Sequence, residues 1–105
     1  MTKEILVTEN ARLDIRQHFA YLSQNNPDTA LKFFDATRET FAQLARMPGM
    51  GNLYQDDNPR LQGLRKWQVK GFKKYLIFYY DRAEHIEIMR VIYGGQDIER
   101  MLEPE

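Results

Sequence analysis

The sequence has no cysteine and only one serine, and both shortages restrict its chemistry. Without cysteine, the chain forms no disulfide framework and no thiolate metal site. The serine, Ser23, and the two histidines, His18 and His85, fall in separate predicted elements. A Ser/His/Asp arrangement is therefore not indicated, and neither histidine has the spacing of a metal ligand. We expect His18, which borders an apolar helix face, to be structural, and we expect no cofactor and no metal.

Long apolar runs are also missing. The first ten residues contain only three consecutive apolar side chains, too few for a signal peptide. No stretch approaches the roughly 20 apolar residues of a membrane span. The segment Gly49-Met50-Gly51 is too short to cradle a phosphate, and no predicted strand leads into it. We therefore expect a cytoplasmic protein that does not contact membranes, with one domain over residues 1–105.

Acidic residues are absent from one segment, although the whole chain has a formal net charge of zero. Residues 58–80 carry six basic side chains and no acidic one, whereas residues 81–105 carry three basic and seven acidic ones. The six are Arg60, Arg65, Lys66, Lys70, Lys73 and Lys74. Such a block favours an anionic partner, whether RNA, DNA or an acidic protein segment. A second interpretation is that these lysines only protect a sheet edge from aggregation.

Two apolar stripes with helical spacing follow a short β-branched run at residues 5–7. Thr8 is a suitable N-cap for the first helix, which is predicted to end just before Asn26. Asn26 then caps the second helix, with Pro27 at its first position, and Pro48 follows its end. The pattern predicts a hairpin of two antiparallel helices.

Three strands are predicted in the second half of the chain. Residues 64–70 alternate as in a half-buried strand, and residues 75–80 are continuously apolar, as in a central strand. Residues 85–93 alternate again, with Ile86, Ile88, Arg90 and Ile92 on one face. Residues 47–63 predict a loop, and residues 96–102 predict a short helical tail. The fold class is α+β, in the order β-α-α-β-β-β, with the helical hairpin packed on one face of an antiparallel sheet.

Residues 64–102 resemble the C-terminal half of RelE/ParE toxins. The family pattern is a strand opening with Leu-Arg and an aromatic residue, a Tyr-x-Ile-x-Tyr strand, and a strand that runs into a Gly-x-x-Asp tail. The matching residues are Leu64, Arg65, Trp67, Tyr75, Ile77, Tyr79, Ile86, Ile88, Arg90, Val91, Ile92, Tyr93, Gly94 and Asp97. Asp14, Ala30 and the Pro-x-x-Gly at residues 48–51 fit the N-terminal half. The resemblance implies a toxin of a type II toxin–antitoxin system.

The family contains two mechanisms, and the resemblance implies different residues for each. RelE-like members cleave messenger RNA on the ribosome without a metal, using basic residues and an aromatic residue; here these would be Arg65, Lys70, Lys73, Arg90 and Tyr93. ParE-like members inhibit DNA gyrase. Gln96 stands where the nuclease pattern has an arginine and Leu102 where it has a tyrosine, and neither side chain can clamp a phosphate or donate a proton. This departure favours the ParE-like branch, which performs no catalysis.

The resemblance also implies partners: a cognate antitoxin in a hetero-oligomer, and DNA gyrase as the target. We expect no sequence-specific DNA binding by this chain alone. The residues predicted to bind partners are Lys66, Lys70, Lys73, Lys74, Gln96, Asp97 and Leu102. A ribosome-dependent endoribonuclease and an inactive antitoxin-binding member remain as alternatives. The acidic tail is expected to cover little of the core.

Overall fold

The computed structural model describes residues 2–103. Its three helices are α1 (Glu9–Asn25), α2 (Pro27–Arg46) and α3 (Ile98–Leu102). Its strands are β1 (Glu4–Val7), β2 (Asn52–Leu53), β3 (Arg65–Val69), β4 (Phe72–Asp81) and β5 (His85–Tyr93). Short 3₁₀ turns at Pro48–Met50 and Pro59–Leu61 lie in the long connection between α2 and β3. The order of the main elements is therefore the predicted one, with α3 as the helical tail.

The start of each long helix is set by a side chain that accepts hydrogen bonds from backbone amides without a partner in the helix. The Thr8 hydroxyl accepts a hydrogen bond from the Ala11 amide at the start of α1. Asn26 ends α1 and begins α2, where its side-chain oxygen accepts from the amides of Asp28 and Thr29. Both caps were predicted from the sequence and are confirmed, because free amides in the first turn of a helix need such acceptors.

The strands form one five-stranded sheet in the order β1-β5-β4-β3-β2. The β2–β3, β3–β4 and β4–β5 pairs are antiparallel, as predicted for the last three strands. β1, however, pairs with β5 in parallel, so the sheet is mixed. The two-residue β2 was not predicted either, because it lies in a connection without alternating side chains. Both β1 and β2 lie at the edges of the sheet.

A bulge changes the two faces of β5. Tyr79 pairs with Ile88 while the preceding Phe78 pairs with Arg90, which leaves Met89 without an opposite residue. An extra residue shifts the alternation of side chains by one. The prediction that Ile92 shares a face with Ile86 and Ile88 is therefore wrong, since Ile92 packs on the sheet face away from the helices.

Apolar side chains are buried on both faces of the sheet. The main core, between the sheet and the helical hairpin, includes Phe33, Phe41 and Tyr79. A smaller core on the opposite face contains Leu64, Phe78, Tyr80, Ile92 and Leu102. Leu102 belongs to α3 and is 7% exposed, so the tail covers apolar surface of the smaller core. The expectation that the tail covers little of the core is therefore wrong.

Helix α1 covers the part of β5 that extends beyond β1. The Thr8 hydroxyl donates to the Met89 carbonyl over 2.9 Å, and Asp14 Oδ2 accepts from the Val91 amide over 2.9 Å. His18 Nε2 lies 2.8 Å from the Val91 carbonyl oxygen. These contacts satisfy backbone groups that would otherwise be buried without partners. The structural role predicted for His18 is confirmed.

Candidate functional site

The side chains implied for a nuclease are distributed around the molecule. Arg65 pairs across the sheet with Tyr79, and Tyr79 belongs to the helix-side core. The Arg65 guanidinium donates to the Gly51 carbonyl over 2.6 Å. Its neighbour Tyr79 donates to the Pro48 carbonyl and accepts from the Gly51 amide. Arg65 therefore anchors the connection after α2 to the sheet.

Arg90 is held by other elements of the fold. Its guanidinium makes two hydrogen bonds with the Asp14 carboxylate and a third with the Met101 carbonyl of α3. Asp14 is 4% exposed, so the ion pair lies largely out of water. Arg90 thus joins α1, β5 and the tail. The alternating pattern placed Arg90 on a strand face, but the sequence gives no sign of this carboxylate, which lies 76 positions away in the chain.

The remaining members of the nuclease set lie at one end of the sheet. Lys70 reaches Glu39 on α2 over 3.1 Å, and Lys73 is exposed. The Tyr93 ring packs on the ring of Tyr75, with centroids 5.1 Å apart. The structure therefore brings Lys70, Lys73 and Tyr93 to this end, while Arg65 and Arg90 are engaged elsewhere.

A basic surface forms where the β3–β4 turn meets the end of β5. We call it the hairpin end and define it as Lys70, Lys73, Lys74, Tyr93 and the turn at residues 94–96. The Gly94 amide donates to the Lys74 carbonyl over 2.6 Å, which joins the two segments. All three lysines are exposed. The sequence placed these lysines at a turn but did not predict that the start of the tail lies beside them.

The other predicted partner-binding residues have local roles. The Gln96 side chain accepts from the Tyr93 amide, and Asp97 caps α3 by accepting from the Arg100 amide. Lys66 is half-buried on β3, opposite Phe78. Leu102 is buried in the smaller core, so it presents little surface to a partner in this conformation.

A second surface, which the sequence did not predict, lies beside β1. It is a groove of about 690 Å³ between β1 and the two long helices. Its apolar walls are Ile5, Val7, Ile15, Phe34, Phe41 and Ala42, and its charged residues are Arg12, Arg16, Arg38, Asp35 and Glu39. Ile5 and Phe34 are each 41% exposed. The available signal was Phe34 beside the buried Phe33, since two successive aromatic residues on a helix cannot both face the core.

The edge of β1 is open along this groove. The amides of Glu4 and Thr8 donate to carbonyls at Glu84 and Ile88, so they point into the sheet. The alternation of a strand then turns the intervening Ile5 amide outward. Lys3 on the same side donates to the Ala45 carbonyl at the end of α2, which closes one end of this edge.

Within residues 2–103, no group of three or more His, Cys, Asp or Glu side chains is arranged to bind a metal ion. Across the same part of the chain, none of the helices has the length and apolar character needed to cross a bilayer. The hairpin end presents lysine and tyrosine side chains, and the groove beside β1 presents three arginines. These groups bind anions and aromatic or apolar surfaces.

Residues 5–98 match the sequence profile of the ParE toxin of type II toxin–antitoxin systems. The chain belongs to this family. Among solved structures it is similar to the chromosomal ParDE system of P. aeruginosa, with a TM-score of 0.68 and 18% identity over 88% of this chain and 96% of that one. It is also similar to the toxin–antitoxin complex RelBE2 of Mycobacterium tuberculosis, with a TM-score of 0.58 and 19% identity over 89% and 99%. No curated protein matches the sequence.

The family match covers most of the described chain, and the fold agrees with it. The protein is a toxin of a type II toxin–antitoxin system, of the ParE/RelE family. The resemblance noted in residues 64–102 is thereby confirmed. At 18% and 19% identity, the solved structures support the fold alone.

Proposed function

We propose that this toxin acts in the cytoplasm by binding and inhibiting DNA gyrase, and that a cognate antitoxin neutralises it by occupying the groove beside β1. The observation that carries the first part is the separation of the nuclease set. A phosphate held by Arg65 could not also reach Arg90, because the two guanidinium groups are bonded to different parts of the fold. A nuclease of this kind needs its charged groups to converge on one phosphate.

The hairpin end is the surface proposed to engage the target. Its lysines are exposed, and Lys70 pairs with Glu39 through side chains that are 62% and 57% exposed. Such a pair contributes about 0–1 kcal/mol and exchanges easily with another anion. Inhibition by protein binding requires only a complementary surface, which the lysines and Tyr93 can provide.

The groove beside β1 is the surface proposed for the antitoxin. Apolar walls with three arginines suit an amphipathic, acidic segment, since carboxylates form strong hydrogen bonds with guanidinium groups. The outward Ile5 amide offers a hydrogen bond to an added strand. Disordered segments that fold on binding commonly use both kinds of contact.

Two assays on the purified toxin test the target. Plasmid supercoiling by gyrase should fall as toxin is added, and translation of a defined message should proceed without new cuts at ribosomal positions. Message cleavage with intact supercoiling would replace this proposal with the endoribonuclease. If neither assay responds but the antitoxin binds, the chain is an inactive member of the family.

The antitoxin site is tested by calorimetric titration of the cognate antitoxin. Charge reversal of Arg16 and Arg38 to Glu should weaken binding by at least about tenfold, because it places like charges opposite each other. The double variant Lys32→Glu, Arg46→Glu is the matched control, since both residues are exposed on α2 but do not line the groove. Equal weakening by the control would show that only the net charge matters.

A further inference from the structure

Methionine supplies all the sulfur in this chain, because the sequence has no cysteine. Four methionines lie in the part of the chain that the structure describes: Met47, Met50, Met89 and Met101. Oxidation of a thioether to a sulfoxide converts a flexible apolar side chain into a polar one. The consequence for a fold depends on whether an oxidant reaches the sulfur and on what the side chain packs against.

Met89 on β5 and Met101 on α3 line the same cavity. It has a volume of about 810 Å³ and lies between the start of α1, the connection before β3 and the tail. A space of this size holds many water molecules, so hydrogen peroxide or a small alkyl hydroperoxide can enter it. Both methionines are also partly buried and pack against the smaller core. They therefore combine access for an oxidant with a role in packing.

The main chain at both methionines is tied to other elements of the fold. The Met89 carbonyl accepts a hydrogen bond from the Thr8 hydroxyl over 2.9 Å. The Met101 carbonyl accepts from Arg90, whose guanidinium also binds Asp14. Because the backbone is held in this way, neither side chain can leave the smaller core without a local rearrangement. A change in polarity at either sulfur is therefore passed to the packing of α3 on the sheet.

Helix α3 depends on few contacts. It spans only five residues, too few for an isolated helix to be stable. Its apolar side chains at the smaller core are Ile98, Met101 and Leu102. A sulfoxide at Met101 makes one of these three polar, and a sulfoxide at Met89 places a polar group in the same core from the sheet. Burial of an unpaired polar group is unfavourable, so oxidation favours separation of α3 from the sheet.

We propose that Met89 and Met101 form an oxidation site that controls the docking of α3. The thioether sulfur attacks one peroxide oxygen, the O–O bond breaks and an S–O bond forms, while a proton passes to the departing oxygen to give water or an alcohol. Sulfur loses two electrons and the peroxide gains them. A methionine sulfoxide reductase with a thiol reductant reverses the change. Oxidation uncovers Phe78 and Ile92, which the tail otherwise covers.

The other two methionines provide the contrast. Met47 is 63% exposed, so its oxidation places a polar group in water and disturbs no packing. Met50 packs at the side of the main core, in a turn that polar contacts also hold. These contacts are the hydrogen bonds of Tyr79 and Arg65 to the backbone of residues 48–51. Oxidation of these two residues should therefore leave α3 in place.

Titration of the purified toxin with hydrogen peroxide tests the proposal. Peptide mass spectrometry locates the sulfoxides, and thermal melts and limited trypsin digestion report on the fold. Sulfoxides at Met89 and Met101 should lower the melting temperature by at least about 4 °C. Trypsin cleavage after Arg100 should become at least about fivefold faster, because the tail opens more often. Treatment with methionine sulfoxide reductases and dithiothreitol should restore both values.

The matched variants replace methionine with leucine, which nearly conserves volume and does not form a sulfoxide. Met89→Leu, Met101→Leu should keep its melting temperature and its resistance to trypsin after peroxide. Met47→Leu, Met50→Leu should lose both as the unmodified chain does. Melts before oxidation check that each double variant is folded, and each single variant, Met89→Leu or Met101→Leu, should give partial protection.

Three outcomes would overturn the proposal. In the first, Met47 is fully oxidised while Met89 and Met101 remain thioethers. In the second, both become sulfoxides but cleavage after Arg100 stays slow. In the third, protection comes from Met47→Leu, Met50→Leu instead, or the reductases remove the sulfoxides without restoring the melting temperature. None of these outcomes depends on which target the toxin inhibits.

Discussion

Arg90 on β5 and Asp14 on α1 form a two-pronged ion pair. Arg90 Nε lies 2.7 Å from Asp14 Oδ2, and Arg90 Nη2 lies 2.8 Å from Asp14 Oδ1. The side chains are only 20% and 5% exposed. Because Asp14 also accepts from the Val91 amide, one carboxylate fixes both a side chain and the backbone of β5.

Arg90→Ala should destabilise the fold by about 3–5 kcal/mol, because it leaves the buried Asp14 carboxylate without its cation. Urea unfolding followed by circular dichroism measures the change. Lys70→Ala is the control, since it breaks an exposed pair with Glu39 and should cost at most about 1 kcal/mol. Similar destabilisation in the two variants would show that the buried pair of Arg90 and Asp14 contributes no more to stability than an exposed pair.

Tyr79 should make the fold sensitive to alkali. Burial raises the pKa of its phenol above the ordinary value of 10.0, while the Gly51 hydrogen bond and Arg65 act in the opposite direction. A raised pKa in the fold stabilises the neutral phenol, so this contribution is complete below about pH 10 and is lost as the pH rises through the folded-state pKa. Urea midpoints measured from neutral pH to about pH 11 should fall less steeply in Tyr79→Phe.

The Tyr79→Phe variant also lacks the hydrogen bonds to Pro48 and Gly51. Its stability at neutral pH should therefore be lower by about 1–3 kcal/mol, the cost of leaving buried partners unsatisfied. The remaining alkaline sensitivity comes from Tyr54, Tyr75 and Tyr80, whose pKa values burial also raises. An unchanged pH profile in Tyr79→Phe would assign the sensitivity to these three residues.

Two aromatic residues should differ in how strongly they support the core. Phe41 is 5% exposed, and Phe41→Ala should cost about 3–5 kcal/mol, enough to unfold a domain near the lower end of the usual range of about 5–15 kcal/mol. Trp67 is half-buried at the side of the main core, so Trp67→Ala should cost less and leave a folded chain. Thermal melts of both variants compare the two residues directly.

Removal of the tail should lower stability as well as toxicity. Deletion of residues 96–105 uncovers Phe78 and Ile92 and removes the carbonyl that binds Arg90. Leu102→Ala should cost about 2–5 kcal/mol by itself. The control Glu99→Gln alters an exposed side chain and should change stability by about half a kcal/mol or less. A truncated toxin that melts like the full chain would show that α3 contributes little packing.

Charge neutralisation at the hairpin end should separate toxicity from folding. The combined change Lys70→Ala, Lys73→Ala, Lys74→Ala should abolish growth arrest on induction. Its melting temperature should stay close to that of the unmodified chain, because exposed substitutions each change stability by about half a kcal/mol or less. Growth curves and thermal melts of the same variant provide the comparison. Full toxicity in this variant would place the active surface elsewhere.

The sequence was sufficient to predict those features of the fold that depend only on residues close together in the chain. The Thr8 and Asn26 caps and the turn at Gly71, which has a φ of +79°, were predictable for this reason. The parallel pairing of β1 with β5 was not predictable, because it depends on where the chain lies after it has passed through the two helices. The bulge at Met89 was missed since an extra residue leaves the apolar composition of a strand unchanged.

The candidate surfaces were predictable only in part. The basic composition of residues 58–80 indicated the lysines of the hairpin end, but the contact between Lys74 and Gly94 arises from long-range strand pairing. The groove beside β1 joins residues from three elements, and no single stretch of sequence carries its pattern. Exposed Phe34 was the one local sign of it.

Three side chains cover the edge of β5, those of Thr8, Asp14 and His18. They form hydrogen bonds with the main chain of β5, whose amide and carbonyl groups do not depend on the side chain at each position. Mutation of Met89 or Val91 therefore leaves these acceptors and donors in place, whereas mutation of the three helix-side residues removes them. During divergence, these hydrogen bonds place no restriction on the side chains at positions 89 and 91, while α1 and its cap keep their polar positions. Related sequences should thus vary more at position 89 than at positions 8, 14 and 18.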